Sequence, residues 1–219
     1  MDTMVLHKGE TYEHVFLNEP SVNLHIVQEA DSCVKIHVIN LGTPEQRDTE
    51  IANRIFVEHR GENCSTEIYG LACLTDDQQE TFETHVHHLT GGGTSNQLIK
   101  FVLDGQAKGH FVGDLKIAPD AQHVEAHQTN RNLVLSADAQ MRTQPQLEIY
   151  ADDVQATHGA STGQLDEAAL FYMRQRGIGE QKARQLLVGA FMKEVLDKLP
   201  TTDDERLTTL LNTIDGVVE

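Results

Sequence analysis

Apolar residues alternate with polar ones, or run in short stretches, through most of the first 160 positions. "NLHIVQ" (23–28), "VKIHVINL" (34–41), "NQLIKFVL" (96–103), "NLVLS" (132–136) and "QLEIY" (146–150) have this character, and polar or glycine-bearing turns separate them. Period-two alternation predicts half-buried strands. No amphipathic helical pattern interrupts them, which argues against alternating strand–helix units. The turns recur: "DGQ" at Asp104, "DAQ" at Asp120 and Asp138, "DVQ" at Asp153, with spacings of 16, 18 and 15 residues. Upstream, "VEHRGENCSTEIYG" (57–70) is similar to "VHHLTGGGTSNQLI" (86–99), with Ser65 and Ser95 thirty apart. Such spacing suits coils of long strands stacked on one another. The expected fold is mainly β, a right-handed parallel β-helix, with a double-sheet barrel as the alternative.

The pattern changes near residue 164. "QLDEAALFYMRQRG" carries acids at its start, bases at its end and Gly177 as a stop, the signature of a helix. "EQKARQLLVGAFMKEVLDKLP" predicts a second helix whose apolar face comprises Ala183, Leu186, Leu187, Ala190, Phe191 and Val195, closed by Pro200. Thr202 and Glu205 form a capping box for a short third helix. The expected division is a β-helix core over 1–163 and a helical segment over 164–219. Three helices alone make a small core, so they dock on the β body or on another protein.

Composition narrows the function. The net charge of −17 disfavours nucleic acid and anionic membranes as partners, since both are bound through basic patches. Cys33, Cys64 and Cys73 are odd in number and lack C-x-x-C spacing, which suggests neither a disulfide framework nor a thiolate zinc site. No signal-peptide pattern opens the chain and no apolar run reaches membrane-spanning length, so a cytoplasmic protein is expected. An enzyme of the glycoside-hydrolase type needs two separated carboxylates in a cleft, and the 5% aromatic content offers little to stack sugar rings. No catalytic residue is assigned.

Four stretches invite chemistry. In "THVHH" (84–88), His85 and His87 share one strand face and could ligate a metal, but no third ligand sits at a diagnostic spacing, so polar-face histidines are the expected reading. "GGGTSNQ" (91–97) lacks the lysine of a phosphate loop and reads as a coil corner. His123 and His127 in "HVEAHQ" lie too far apart along a strand to chelate one ion. His158, between Thr157 and Gly159, is a single imidazole able to act as ligand or proton carrier only if another chain completes the site.

The run from Asn130-Arg131-Asn132-Leu133 through Gln144-Pro145-Gln146-Leu147-Glu148-Ile149, the His158-Gly159-Ala160 corner, Gln164-Leu165-Asp166-Glu167, Leu170-Phe171-Tyr172 and Arg176-Gly177-Ile178 resembles the SufB/SufD family of iron–sulfur cluster assembly proteins, SufD most of all. Looser similarity extends over about residues 50–199. The resemblance implies a right-handed parallel β-helix with a helical C-terminal segment. It implies a SufD-like subunit of a SufBCD complex, acting with a SufB-like scaffold and a SufC-like ABC ATPase that docks on the helical segment. It places His158 at the cluster-assembly interface, as a metal ligand shared with a partner chain, and Leu170, Phe171, Arg174, Arg176 and Gly177 at the ATPase contact. No cofactor is expected on the chain alone, with an iron–sulfur cluster transient at the partner interface. Family members of this type are considerably longer, with an N-terminal helical domain, so the chain reads as a short form. Many carry a cysteine two residues before the motif histidine, where this chain has Ala156. With no thiolate in the C-terminal two thirds, the SufD side is favoured, and a structural ATPase-binding module without metal chemistry is the alternative. Exposed β-helix faces leave room for a homodimer when the partner is absent.

Overall fold

A computed structural model describes residues 2–42 and 50–200. Among these, β1 (Asp2–Leu6), β3 (Asn23–Gln28), β5 (Glu50–His59), β7 (Gln79–His88), β9 (Lys108–Ile117) and β11 (Gln140–Ile149) form one six-stranded sheet in that order. The second sheet takes β2 (Thr11–Leu17), β4 (Cys33–Asn40), β6 (Ser65–Leu74), β8 (Thr94–Leu103), β10 (Val124–Val134) and β12 (Val154–Gly163). Successive strands alternate between the sheets and every neighbouring pair is parallel. This is the expected parallel β-helix, and no barrel closure occurs. Helices α1 (Glu167–Gln175) and α2 (Glu180–Leu196) follow.

Side chains on the inner strand faces build the core. Ile26, Ile55, Phe82, Phe111 and Leu115 from the first sheet meet Ile36, Ile68, Ile99, Phe101 and Ala126 from the second. Alternation along each strand turns the intervening residues outward. The corners use the left-handed region: Asp31, Asn63, Gly92 and His123 have φ of 60°, 56°, 71° and 59°. They stack through Asp31 N–H to Glu62 O, Asn63 N–H to Gly91 O and Gly92 N–H to Gln122 O. Asn63 also donates its side-chain amide to Asp31. Asn, Asp and Gly tolerate this geometry best, which is why polar turn residues recur once per coil. The four Asp-x-Gln signals fall at four successive corners, from β8–β9 to β11–β12.

The repeat differs by one residue from the Ser65–Ser95 spacing. Ser65 pairs with Thr94, and Ser95 with Thr66, so the offset is 29. A shift of one residue would exchange inner and outer faces, and Thr66 and Ser95 are both buried on the inside.

Asp166 caps α1 by accepting from the amides of Ala168 and Ala169. At its other end Gly177, at φ 83°, allows Ile178 N–H to reach Met173 O and Gly177 N–H to reach Arg174 O, a Schellman closure. Helix α2 lies on the outer face of the second sheet, where Val188, Met192, Val195 and Leu196 pack on Tyr69, Leu71, Leu98 and Val102. The buried stripe is rotated from the expected one. Leu186 is 44% exposed and Ala190 is exposed, because the apolar sheet face selects Val188 and Met192 instead. The third helix expected from Thr202 and Glu205 lies outside the described residues. No helix among the described residues is long and apolar enough to cross a membrane.

Candidate functional site

β11 and β12 are the last strands of their sheets, so one edge of each has no partner strand among the described residues. In β12, "VQATHGASTG", small residues predominate and most positions are exposed. Ala156 pairs with the core residue Ala126 and packs on the core, and Gln128 pairs with His158. Period two therefore places His158 on the inward face. It is nevertheless exposed, because no further coil covers that end among the described residues.

Behind His158 the same row continues through Gln128 and Gln97 to Ile68. Gln128 and Gln97 are buried, and their side-chain N and O atoms have no hydrogen-bond partner; Thr84 Oγ1 shares that condition. Gly113 makes room for Gln128: a Cβ there would lie 2.5 Å from its Nε2. An exposed imidazole thus heads a file of buried, unpartnered amides. Alone it offers one ligand or one proton-accepting nitrogen, and a neighbour must bring the rest.

The five helical residues that the resemblance puts at a partner contact have different surroundings in the fold. Leu170 is 4% exposed and packs within the chain. Phe171 is 64% exposed and stands beside Tyr172, at 58%. The Arg176 guanidinium lies over the Tyr172 ring at 5.0 Å, and Arg174 pairs with Glu180 at 3.3 Å. Gly177 serves the helix end. The helices are tied to the β body by Lys100, whose buried ammonium donates to Phe191 O at 2.6 Å and meets Glu194 Oε2 at 2.5 Å. Arg131 adds a second cation on Glu194 at 3.0 Å, and these partners hold the Glu194 carboxyl below its usual range.

The remaining candidates resolve individually. Gly91 to Gly93 form a coil corner: a Cβ on Gly93 would lie 2.9 Å from His59 Nδ1, and one on Gly91 would lie 2.7 Å from Gln122 O. His123 pairs with Asp153 at 3.0 Å, while His127 contacts Thr157 and Glu125, so the two serve separate partners. Cys64 and Cys73 are buried, Cys33 half-buried, and burial pushes the Cys73 thiol up to about 12. All three lie in or beside β4 and β6, far in sequence from the open edge.

His85 and His87 do share an outer face, and a carboxylate from the next coil stands against both. Asp114 pairs with His85 in register, 29 residues on. Burial raises the Asp114 carboxyl, but hydrogen bonds from His87 and His85 outweigh it and hold it below its usual range. The 29-residue offset between 57–70 and 86–99 was the signal that could have located Asp114.

The family model described as "SUF system FeS cluster assembly, SufBD core domain" matches residues 18–191. An iron-sulfur cluster assembly SufBD family protein of Synechocystis sp. PCC 6803 is 32% identical over 203 residues, covering 85% of this chain and 44% of its own. SufD of Escherichia coli K12 is 37% identical over 139 residues, 64% of this chain and 33% of its own. SufD of Bacillus subtilis 168 is 31% identical over 193 residues, 82% and 44%. The chain thus spans less than half the length of these curated relatives. A matched model over most of a parallel β-helix that carries its own C-terminal helices makes this chain a member of the SufBD core-domain family of the SUF iron–sulfur cluster assembly system.

Proposed function

We propose that the chain is a SufD-like scaffold subunit for iron–sulfur cluster assembly, working with a SufB-like β-helix and a SufC-like ABC ATPase. The open end of the β-helix carries this reading, with two strand edges unpaired among the described residues and His158 exposed on the face a further coil would cover. Free edges present unpaired N–H and C=O groups to another strand. Addition of a second β-helix there would satisfy them and bring the partner's side chains against His158. Iron and sulfide are then the cargo of the joint edge, with His158 as a ligand or proton acceptor. On the helical segment, Phe171, Tyr172, Arg174 and Arg176 offer an aromatic and cationic surface to the ATPase, while Leu170 and Gly177 hold α1 in shape. Family membership and relatives named SufD support the assignment.

The position of the cysteines favours a second reading, a structural subunit that binds the ATPase without touching iron. None of the three lies on β11 or β12. Anaerobic pull-down with this chain against a SufB-like scaffold and a SufC-like ATPase from the same cell separates the readings. The scaffold reading expects capture of both, ATPase stimulation, and cluster formation that falls in His158→Ala while capture persists. Capture with cluster formation indifferent to His158→Ala selects the structural reading, and capture of neither refutes both.

A further inference from the structure

We propose that His85, His87 and Asp114 form a binding site for a divalent transition-metal ion of the zinc–iron(II) class on the outer face of the first sheet. This site is separate from the open edge: it sits on β7 and β9, within the sheet, whereas His158 lies on the inner face of the other sheet's last strand. Its assignment does not depend on the chain's place in an assembly complex.

The backbone builds the site without a loop. His85 and His87 are two apart on β7 and project from the same face. Parallel register sets Asp114 opposite His85 on β9. Asp114 Oδ2 is 3.4 Å from His85 Nδ1 and 2.8 Å from His87 Nε2, and the three ligand atoms all lie within 4.8 Å of one another. An ion with ligand bonds of about 2.0–2.2 Å spaces its ligands by roughly 3.0–3.6 Å. Small side-chain rotations close the set around one ion.

The surroundings position the ligands. The Phe56 ring meets His85 and His87 edge to face, with centroids at 5.9 and 4.8 Å, and so limits the rotation of both imidazoles. Glu83 Oε2 stands 3.9 Å from His85 Nε2, the nitrogen directed away from Asp114. Arg54 fixes that carboxylate through contacts of 2.6 and 3.2 Å. At 3.9 Å this carboxylate is beyond hydrogen-bond reach of the ring, but it adds a negative charge beside His85 that favours a cation there. An ordinary ion pair needs one imidazole per carboxylate, as in His25–Glu58 and His123–Asp153. Here two imidazoles converge on one oxygen.

Donor chemistry selects the ion class. Two imidazole nitrogens and one carboxylate oxygen suit zinc, cobalt and iron(II). Calcium and magnesium demand shells of oxygen. Side-chain exposures of 30%, 22% and 19% for His85, His87 and Asp114 leave the site reachable, with its remaining coordination positions open to water or an exogenous ligand.

The test uses the purified chain, freed of metal by a chelator and titrated with cobalt(II) followed by visible absorption and with zinc by calorimetry. One equivalent of each metal is expected, with nitrogen-ligated cobalt bands. His87→Ala and Asp114→Asn each weaken binding at least tenfold, and His123→Ala leaves it unchanged. Far-UV spectra check the fold. The near-isosteric Asp114→Asn decides the matter if a histidine variant misfolds. The proposal is overturned if the wild type takes up no stoichiometric cobalt or zinc, or if folded Asp114→Asn and the His85→Ala/His87→Ala double variant bind as tightly as wild type.

Discussion

His59 and His88 meet edge to face inside the β-helix, ring centroids 4.2 Å apart, on adjacent strands in register. Thr66 donates to Gln28 Oε1 at 2.6 Å, so its oxygen accepts from His59 Nε2–H at 2.8 Å. His59 is therefore the Nε2–H tautomer, and its Nδ1 is an unprotonated atom without a hydrogen-bond partner. His88 Nε2 and Ser95 Oγ share a hydrogen bond of 2.8 Å, and His88 Nδ1 likewise has no hydrogen-bond partner. Two neutral imidazoles fit this dry corner, and a charged one does not.

Acid should unfold the protein through this pair. Burial, aided by the neighbouring His87, lowers His88 to about 4, and burial sends His59 well below the usual histidine range. Both folded values are depressed, so the stabilisation is whole above the unfolded value near 6.5. It is lost as pH falls toward 4, because the unfolded chain takes protons that the folded chain refuses. For His88 alone the loss by pH 4 is about 3 kcal/mol. Urea midpoints should fall between pH 6.5 and 4, the fall being partly offset by buried Glu80, whose carboxyl burial raises to about 7 and whose protonation therefore adds stability as pH drops. His88→Leu should flatten that slope even though it lowers stability at pH 8 by leaving Ser95 without its partner.

Gly93 is the close approach that lets the pair fit. A methyl group there would sit 2.9 Å from His59 Nδ1 and 3.0 Å from His88 Nδ1, and both rings are enclosed. Gly93→Ala should cost about 1–3 kcal/mol in urea unfolding. Gly159→Ala, with nothing within 4 Å of the added carbon, should cost far less.

The helical segment should detach when its ion pair is broken. Lys100 has a side chain only 3% exposed and depends on Glu194 and Phe191 O. Removing one partner of a buried pair leaves a charge uncompensated. Since Glu194 is 44% exposed and water can reach its place, Glu194→Ala should cost about 1–3 kcal/mol. Limited proteolysis should then cut within or before α2 sooner than in wild type, leaving the β body intact.

α1 allows packing to be separated from partner binding. Leu170→Ala should loosen α1, at about 2–3 kcal/mol locally, read as faster amide exchange in the helix. Phe171→Ala removes an exposed ring and should change stability by less than about 0.5 kcal/mol. If this surface receives the ATPase, Phe171→Ala should still lose most of its capture in the pull-down. Undiminished capture would place the contact elsewhere.

Local chemistry made much of the architecture legible. Period-two alternation marks strands because Cβ atoms alternate across a pleat, and Asp166 with Gly177 marks a helix because caps satisfy end groups. Asp104, Asp120, Asp138 and Asp153 mark corners because the bends between strands are made of polar turn residues, with Gly105 beside Asp104 at φ 63°. The motif points to His158, but its exposure on an inward face arises because no strand pairs with the far edge of β12 among the described residues.

What tertiary structure alone decided is alignment between coils. Alternation says that His85 and His87 share a face, but not that Asp114 stands opposite His85, since that depends on the number of residues spent at each corner. The same holds for Ser65, which meets Thr94 and not Ser95. Likewise the helical pattern allowed several apolar stripes on α2. The face of Tyr69, Leu71, Leu98 and Val102 chose Val188 and Met192 and left Leu186 in solvent. Sequence determines which residues lie on a common face because that is a property of one strand or helix. Which faces meet is determined by packing between elements, where one residue more or less at a corner exchanges inside for outside.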